Sequence, residues 1–408
     1  MAAAREATAA LFDGDDGLKT SATHAIPFSD EVRSWMPWCR SIPKVELHAH
    51  LNGSIRSSTL LELASRFSKM GTINFHEVQA IILKGDRSLT ECFKLFELIH
   101  LLTTDHQVIT QITKEVCAYE NDCPALFPVV EDFASENVIY LELRTTPKWN
   151  ASVGMTKKSY VEAVFAGLKA VETVQVISNS LDVKQNGLEM ERSKRIIHVR
   201  LLLSIDRREN TEAAIETVQL ALDMQKFGVV GIDLSGNPRV GDWKTFLPAL
   251  KLAREKGLPI TLHCGEVPNQ SEIQNMLSFQ PERIGHACCL EESEWAQLLQ
   301  SSIPVEVCLT SNVRTETVPF LPDHHFASLY NSRHPLIVCT DDPGIFGTDI
   351  SQEYALAAVC FGLTKENLQF LARNALKHIF ANDDVKEELE NIFDLSVNIT
   401  DSILQELK

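Results

Sequence analysis

The stretch Pro43-Lys44-Val45-Glu46-Leu47-His48-Ala49-His50-Leu51-Asn52-Gly53-Ser54 decides how the rest of the chain is read. Val45, Leu47, Ala49 and Leu51 alternate with Glu46, His48 and His50, the period-two pattern of a β-strand. Two histidines two residues apart on a strand point to the same side, about 7 Å apart along it. Both imidazoles can then reach one metal ion at a Zn–N distance of roughly 2.0–2.1 Å. Taken alone, the pair reads equally well as two inward-facing polar residues. The remainder of the chain decides between the two.

A chain of 408 residues can hold two domains or one large α/β barrel with additions. Its apolar content of 44% supports a substantial core, and no repeat array or coiled coil is visible. No apolar run approaches the ~20 residues of a membrane helix, so no membrane partner is expected. The formal charge of −17 argues against nucleic acid as a partner, because such proteins present a basic stripe. A small anionic substrate stays open, since a few local cations hold one phosphate against the global field. The ten cysteines form no spaced framework and include no Cys-x-x-Cys pair, as expected of free thiols in a reducing compartment. The Ala-rich N-terminus carries Asp13, Asp15 and Asp16 and has no apolar signal core. We expect a disordered extension over residues 1–34, one metal-dependent domain over 35–408, and a cytosolic protein.

Beyond the first strand, helical segments are expected at Glu31–Cys39, around Ser58–Lys69, and after the capping box Ser88-Leu89-Thr90-Glu91. In the last of these, Leu89, Phe93, Phe96 and His100 share one face. Eight apolar runs read as strands: Val45–Leu51, Val138–Thr145, His198–Asp206, Val229–Gly236, Pro259–Glu266, Arg283–Cys288, Pro304–Asn312 and Pro335–Asp342. Several are almost continuously apolar, as strands buried on both faces must be. Amphipathic stretches lie between them, Thr211–Phe227 stopped by Gly228 and Asp242–Lys256 closed by Gly257. The pattern predicts an α/β fold, a (β/α)8 TIM barrel with extra helices after the first strand and at the C-terminus. An open doubly wound sheet is the alternative, but no Gly-x-Gly-x-x-Gly follows any strand.

Nearly every run ends in polar residues, and a barrel brings such ends to one mouth. There, His48, His50, His263 and Asp341 offer three imidazoles and a carboxylate, a donor set suited to one Zn²⁺ with a position open for water. Bound zinc lowers the pKa of water toward ~7. Glu266, three residues beyond His263, is placed as a proton shuttle. His286 can orient the attacking hydroxide, and Asp342, beside Asp341, can accept a hydrogen bond from the substrate.

The motifs Pro-Lys-Val-Glu-Leu-His-Ala-His-Leu-Asn-Gly-Ser, His-Cys-Gly-Glu, Arg-Ile-Gly-His, Cys-Leu-Thr-Ser-Asn and Cys-Thr-Asp-Asp-Pro together resemble the adenosine/AMP deaminase family of the amidohydrolase superfamily. The resemblance runs from about Trp35 to the C-terminal helices. It implies one zinc on His48, His50, His263 and Asp341, with Glu266 as proton donor to purine N1 and His286 positioning the hydroxide. It further implies that Asp342 and the Gly236 backbone contact the purine. The implied reaction is hydrolytic deamination at purine C6. Two-metal amidohydrolases bring a bridging lysine from the fourth strand, which here reads Gly-Ile-Asp-Leu-Ser-Gly.

Leu143-Arg144-Thr145-Thr146-Pro147-Lys148 is similar to the adenosine deaminase-like branch, for which conversion of N6-methyl-AMP to IMP and methylamine is implied. Thr145, Thr146, Pro147 and Lys148 would take the 5′-phosphate, two hydroxyls and an ammonium giving charge-assisted hydrogen bonds. Asn52, His100 and Asp206, with His50, match the branch's substrate-pocket positions. Deamination of adenosine or AMP with loss of ammonia is the alternative, and another amidohydrolase chemistry such as phosphotriester hydrolysis is less favoured. The chain departs from the family at Cys117–Pro128, where two prolines four apart oppose a continuous helix and imply an inserted loop. A monomer is expected, since no exposed apolar stripe stands out.

Overall fold

Eight strands pair in parallel and in chain order: Lys44–His50, Val138–Thr145, His198–Asp206, Val229–Ser235, Ile260–Cys264, Arg283–His286, Val305–Val307 and Leu336–Val338. The eighth returns to the first through Asp341, whose N–H donates to His48 O (2.7 Å) and whose carbonyl accepts from His50 N–H (3.0 Å). This is the expected (β/α)8 barrel with surrounding helices. The computed structural model describes residues 29–84, 89–114, 129–169, 174–177, 192–195 and 197–406. Residues 1–28 of the expected extension, Ser88 of the expected capping box and the inserted loop at 117–128 lie outside the described residues. The strand that follows that loop, Val138–Thr145, is in place between the first and third.

The helices largely obey their sequence signals. Ser29 caps Asp30–Ser41, accepting a hydrogen bond from Val32 N–H (3.2 Å), so residues 30–34 belong to a helix and not to the extension. Gly228 (φ +114°) and Gly257 (φ +74°) stand in the left-handed region where the helices before the fourth and fifth strands stop. Among the described residues five helices fill the enlarged first connection, and Thr364 opens Lys365–Asn374 with a capping box. No helix among the described residues is long and apolar enough to cross a membrane. The described cysteines are free thiols.

The seventh and eighth strands fall furthest short of their apolar runs. The seventh stops at Val307, and Leu309–Arg314 is helical because Glu353 accepts from Thr310 N–H (3.0 Å) and Cys308 O accepts from Asn312 N–H (2.9 Å). The eighth stops at Val338, and Asp341 turns through φ +67°. A short antiparallel pair, Val174–Ile177 with Arg192–Arg195, was not foreseen.

The barrel interior is charged where branched aliphatics usually fill it. Glu306 on the seventh strand accepts hydrogen bonds from Arg144 (2.9 Å), Arg283 (2.6 Å), Thr261 (3.0 Å) and His48 Nδ1 (2.6 Å). Asp233 on the fourth accepts from Arg144 (3.2 Å), Ser204 (2.8 Å) and His263 Nδ1 (3.0 Å). Glu142 takes the far side of Arg283 (2.5 Å). Glu306, Arg144, Arg283, Asp233 and Glu142 are all fully buried. Buried charges persist only when paired and hydrogen-bonded, and here each spans the barrel from one strand to another. Replacing Glu306 with Leu takes one of two carboxylate partners from each of Arg144 and Arg283 and removes the acceptor of His48 Nδ1–H. We expect a loss of about 3–5 kcal/mol of stability, read as a lower denaturant midpoint with unchanged m-value.

Candidate active site

The C-terminal ends of the strands surround a cavity of about 1200 Å³, its open mouth included. His50, Asn52, His100, Thr145, Thr146, Asp206, Gly236, His263, Glu266, His286, Asp341 and Asp342 all line it. His48 lies at its floor, fully buried. Gly285 lets the ring lie there, because a Cβ at that position would stand 2.6 Å from His48 Cε1.

Five groups converge on one point. His50 Nε2 lies 3.1 Å from His263 Nε2 and 3.4 Å from Asp341 Oδ1, while His48 Nε2 lies 3.5 Å from the same oxygen. His286 Nε2 is 4.0 Å from Asp341 Oδ2 and 4.0 Å from Glu266 Oε1. His48, His263, His286 and Asp341 present ligand atoms all within 4.8 Å of one another. Glu306 and Asp233 accept from the Nδ1–H of His48 and His263, which leaves each Nε2 with a lone pair facing the centre. Lone pairs of His50 and His263 held 3.1 Å apart repel unless a proton or cation lies between them, so this arrangement fits a metal ion. The Nε2 atoms of His48 and His286 are buried and without hydrogen-bond partners. The fourth strand contributes Asp233, not a lysine, and it serves His263.

Their neighbours drive the two adjacent aspartates apart. Burial would raise Asp341, but His48, 3.5 Å from its Oδ1, and the surrounding imidazoles hold it well below the usual carboxylate range. Asp342 goes far up, through its own burial and then the charge of Asp341. Burial also raises Glu266, against the pull of His263. The site thus sets one carboxylate shifted toward its ionised form against two shifted toward their protonated forms. Ser311 donates to Asp341 Oδ2 (2.6 Å), fixing its orientation.

Pro147 and Lys148 are not in this cavity. They line a second one, of about 800 Å³, with Thr103, Thr104 and Trp149. His100, Thr146, Asp206 and Arg208 border both, so they form the wall between them. Lys148 Nζ donates to Thr103 Oγ1 (2.5 Å), and burial, with the like charge of Arg208, brings its pKa down to about 7. Thr145 is buried with its hydroxyl against Tyr160 Oη (2.7 Å).

Sequence reasoning missed Glu306, Asp233, Arg208, Ser311, Asn312 and His324. The signal for the first two was present, a lone charge inside a run otherwise apolar on both faces. Arg208 stood in the strand-end triplet Asp206-Arg207-Arg208 and is tied to Asp206 by two hydrogen bonds (2.9 and 2.6 Å).

The sequence profile of adenosine deaminases matches residues 43–394. The chain is 56% identical over 363 residues to the N6-mAMP deaminase of Arabidopsis thaliana, covering 88% of this chain and 98% of that protein. It is 40% identical over 359 residues to the N6-methyl-AMP deaminase of Homo sapiens, covering 85% and 91%. The crystal structure of Arabidopsis ADAL complexed with IMP superposes with a TM-score of 0.78 at 55% identity, over 88% of this chain and 98% of that one. With the profile spanning most of the chain and the barrel mouth built as described, the chain belongs to the adenosine deaminase family.

Proposed function

We propose that the protein is a zinc aminohydrolase that converts N6-methyl-AMP and water to IMP and methylamine. The observation that carries this reading is the placement of Glu266, raised by its burial and 4.0 Å from His286 Nε2, beside a ring of converging imidazoles. The Arabidopsis and human relatives, named for N6-methyl-AMP deamination, and the IMP-bound relative support the choice of substrate.

His48, His50, His263 and Asp341 would hold the zinc, which supplies Lewis acidity that brings the pKa of water near 7. Glu266 lends its proton to purine N1, so that electron density leaving C6 on attack has somewhere to go. His286 hydrogen-bonds the attacking water and aims it at C6. Asp342 hydrogen-bonds the purine, and the Gly236 backbone fixes the ring's edge. The C6–N6 bond breaks, methylamine departs with a proton, and C6 keeps the oxygen. His50, Asn52, His100 and Asp206 contact the nucleotide across the shared wall. Thr145, Thr146, Pro147 and Lys148, joined by Arg208, take the 5′-phosphate at the second cavity.

A product assay on zinc-replete protein with N6-methyl-AMP, AMP and adenosine tests the reading. Turnover concentrated on N6-methyl-AMP is the expected result; equal use of adenosine removes the phosphate site, and ammonia release from AMP at the same rate removes the N6-methyl preference. Glu266→Gln should lower kcat by roughly 10²–10⁴-fold while the zinc content per chain stays at one; a kcat unchanged by the substitution ends the proposed proton role.

Lys148 also gives a pH signature. Its ammonium form binds phosphate, and with a pKa of about 7 in the free enzyme that form is lost as pH rises. The kcat/KM for nucleotide should therefore fall above pH 7, a limb absent with adenosine. Lys148→Ala should abolish the limb and raise KM for the nucleotide by an order of magnitude, about the worth of one charge-assisted hydrogen bond. An equal effect on adenosine would remove Lys148 from the phosphate site.

A further inference from the structure

Outside the groups already assigned roles, one chain of hydrogen bonds reaches the centre of the site from the loop after the seventh strand. The Phe326 backbone N–H donates to His324 Nδ1 (3.0 Å). His324 Nε2 meets Asn312 Oδ1 (3.1 Å), and Asn312 Nδ2 meets His286 Nδ1 (3.0 Å). His324, Asn312 and His286 are each at most 2% exposed, so no solvent competes along the chain.

The direction of every bond follows from the first. A backbone N–H can only donate, so His324 Nδ1 accepts and carries no proton. Burial holds His324 well below its ordinary pKa, so the ring is neutral and its one proton sits on Nε2. That N–H needs an acceptor, which fixes Asn312 with Oδ1 toward His324 and its amide N–H toward His286. The reversed amide would set two donors against each other. His286 Nδ1 must then accept, and the His286 proton goes to Nε2. This is the atom buried without a hydrogen-bond partner at the convergence point.

The backbone of His286 is held from the same loop. His286 and Ala287 occupy the left-handed region (φ +65° and +57°), and His325 Nε2 donates to the His286 carbonyl (2.6 Å). The rings of His324 and His325 stack with centroids 4.3 Å apart. One loop therefore sets both where the His286 ring stands and which nitrogen bears its proton.

We propose that His324 and Asn312 are positioning residues that fix His286 as its Nε2–H tautomer. The consequence is a division of labour among the converging groups. An Nε2–H has no lone pair to give a metal ion, so His286 is excluded from the ligand set although its nitrogen lies within 4.8 Å of those of His48 and His263. It is instead a hydrogen-bond donor aimed at the position of the attacking water. The catalytic use of this tautomer rests on the function proposed above; the tautomer itself does not.

The test is ¹⁵N NMR of the metal-free protein labelled at its histidine imidazoles, with the His286 signals identified by their loss in His286→Asn. The expected wild-type spectrum places the His286 proton on Nε2. Asn312→Asp offers a carboxylate that accepts from Nδ1–H, so the proton should move to Nδ1, and kcat should fall roughly 10²-fold, the cost of losing one aimed donor, with KM unchanged. His324→Leu should leave the tautomer mixed, and His324→Gln, whose amide N–H still donates to Asn312 Oδ1, should restore it along with kcat. A wild-type proton on Nδ1, or an Asn312→Asp spectrum identical to wild type, overturns the proposal. The expected tautomer in a protein without deaminase activity on any of the three substrates would support the relay and remove only the functional reading.

Discussion

The Glu306 carboxylate is the constraint from which both the barrel and its site follow. It sits at the centre of the interior and accepts four hydrogen bonds from four different strands. Two arginines are thereby paired in the buried interior, where an uncompensated charge costs several kcal/mol. The same contact that satisfies Glu306 orients His48, because a ring that gives its Nδ1–H to a carboxylate has its other nitrogen committed to the opposite direction. Folding and site assembly are one event here. A barrel that closed in the wrong register would leave these charges unmatched, so the polar interior specifies the strand alignment that brings the ligands together.

Electrostatic environment, not residue type, separates the three carboxylates of the mouth. Asp341 and Asp342 are adjacent in sequence, both buried, yet pushed in opposite directions, one surrounded by imidazoles and the other left facing its ionised neighbour. Glu266 follows Asp342 upward mainly because it is desolvated. A carboxylate held low beside the imidazoles suits cation binding, and carboxyls pushed upward keep a proton more readily. The geometry sorts three chemically similar groups into two tasks.

Much of this was legible in the sequence. The His48/His50 alternation, the eight runs and the polar strand ends were enough to predict the barrel and to bring His263, Glu266, His286 and Asp341 to one mouth. What escaped shares a physical cause. Glu306 and Asp233 sit within short strands whose one-dimensional pattern does not say which strand lies opposite, so their partners 258 and 30 residues away could not be named. Asn312 escaped because Cys308-Leu309-Thr310-Ser311-Asn312 is apolar enough to read as strand, while Glu353, distant in sequence, captures Thr310 N–H and the segment turns into helix. Thr145 to Lys148 were read as one cluster; Pro147 and Lys148 in fact pass beyond the wall formed by His100, Thr146, Asp206 and Arg208.

That wall has a consequence for ligands. Two chambers that share four residues and lie end to end recognise the two ends of a molecule independently, joined only by the rigidity of the molecule itself. Each chamber's contacts then act at the effective concentration set by a short, stiff tether, so a compound filling both gains far more than the sum of two weak fragments. On the proposed function, changes at the far chamber would retune which anionic tail is admitted without disturbing the chemistry at the near one, and a fragment confined to the far chamber would compete with the tail while leaving the reacting centre untouched.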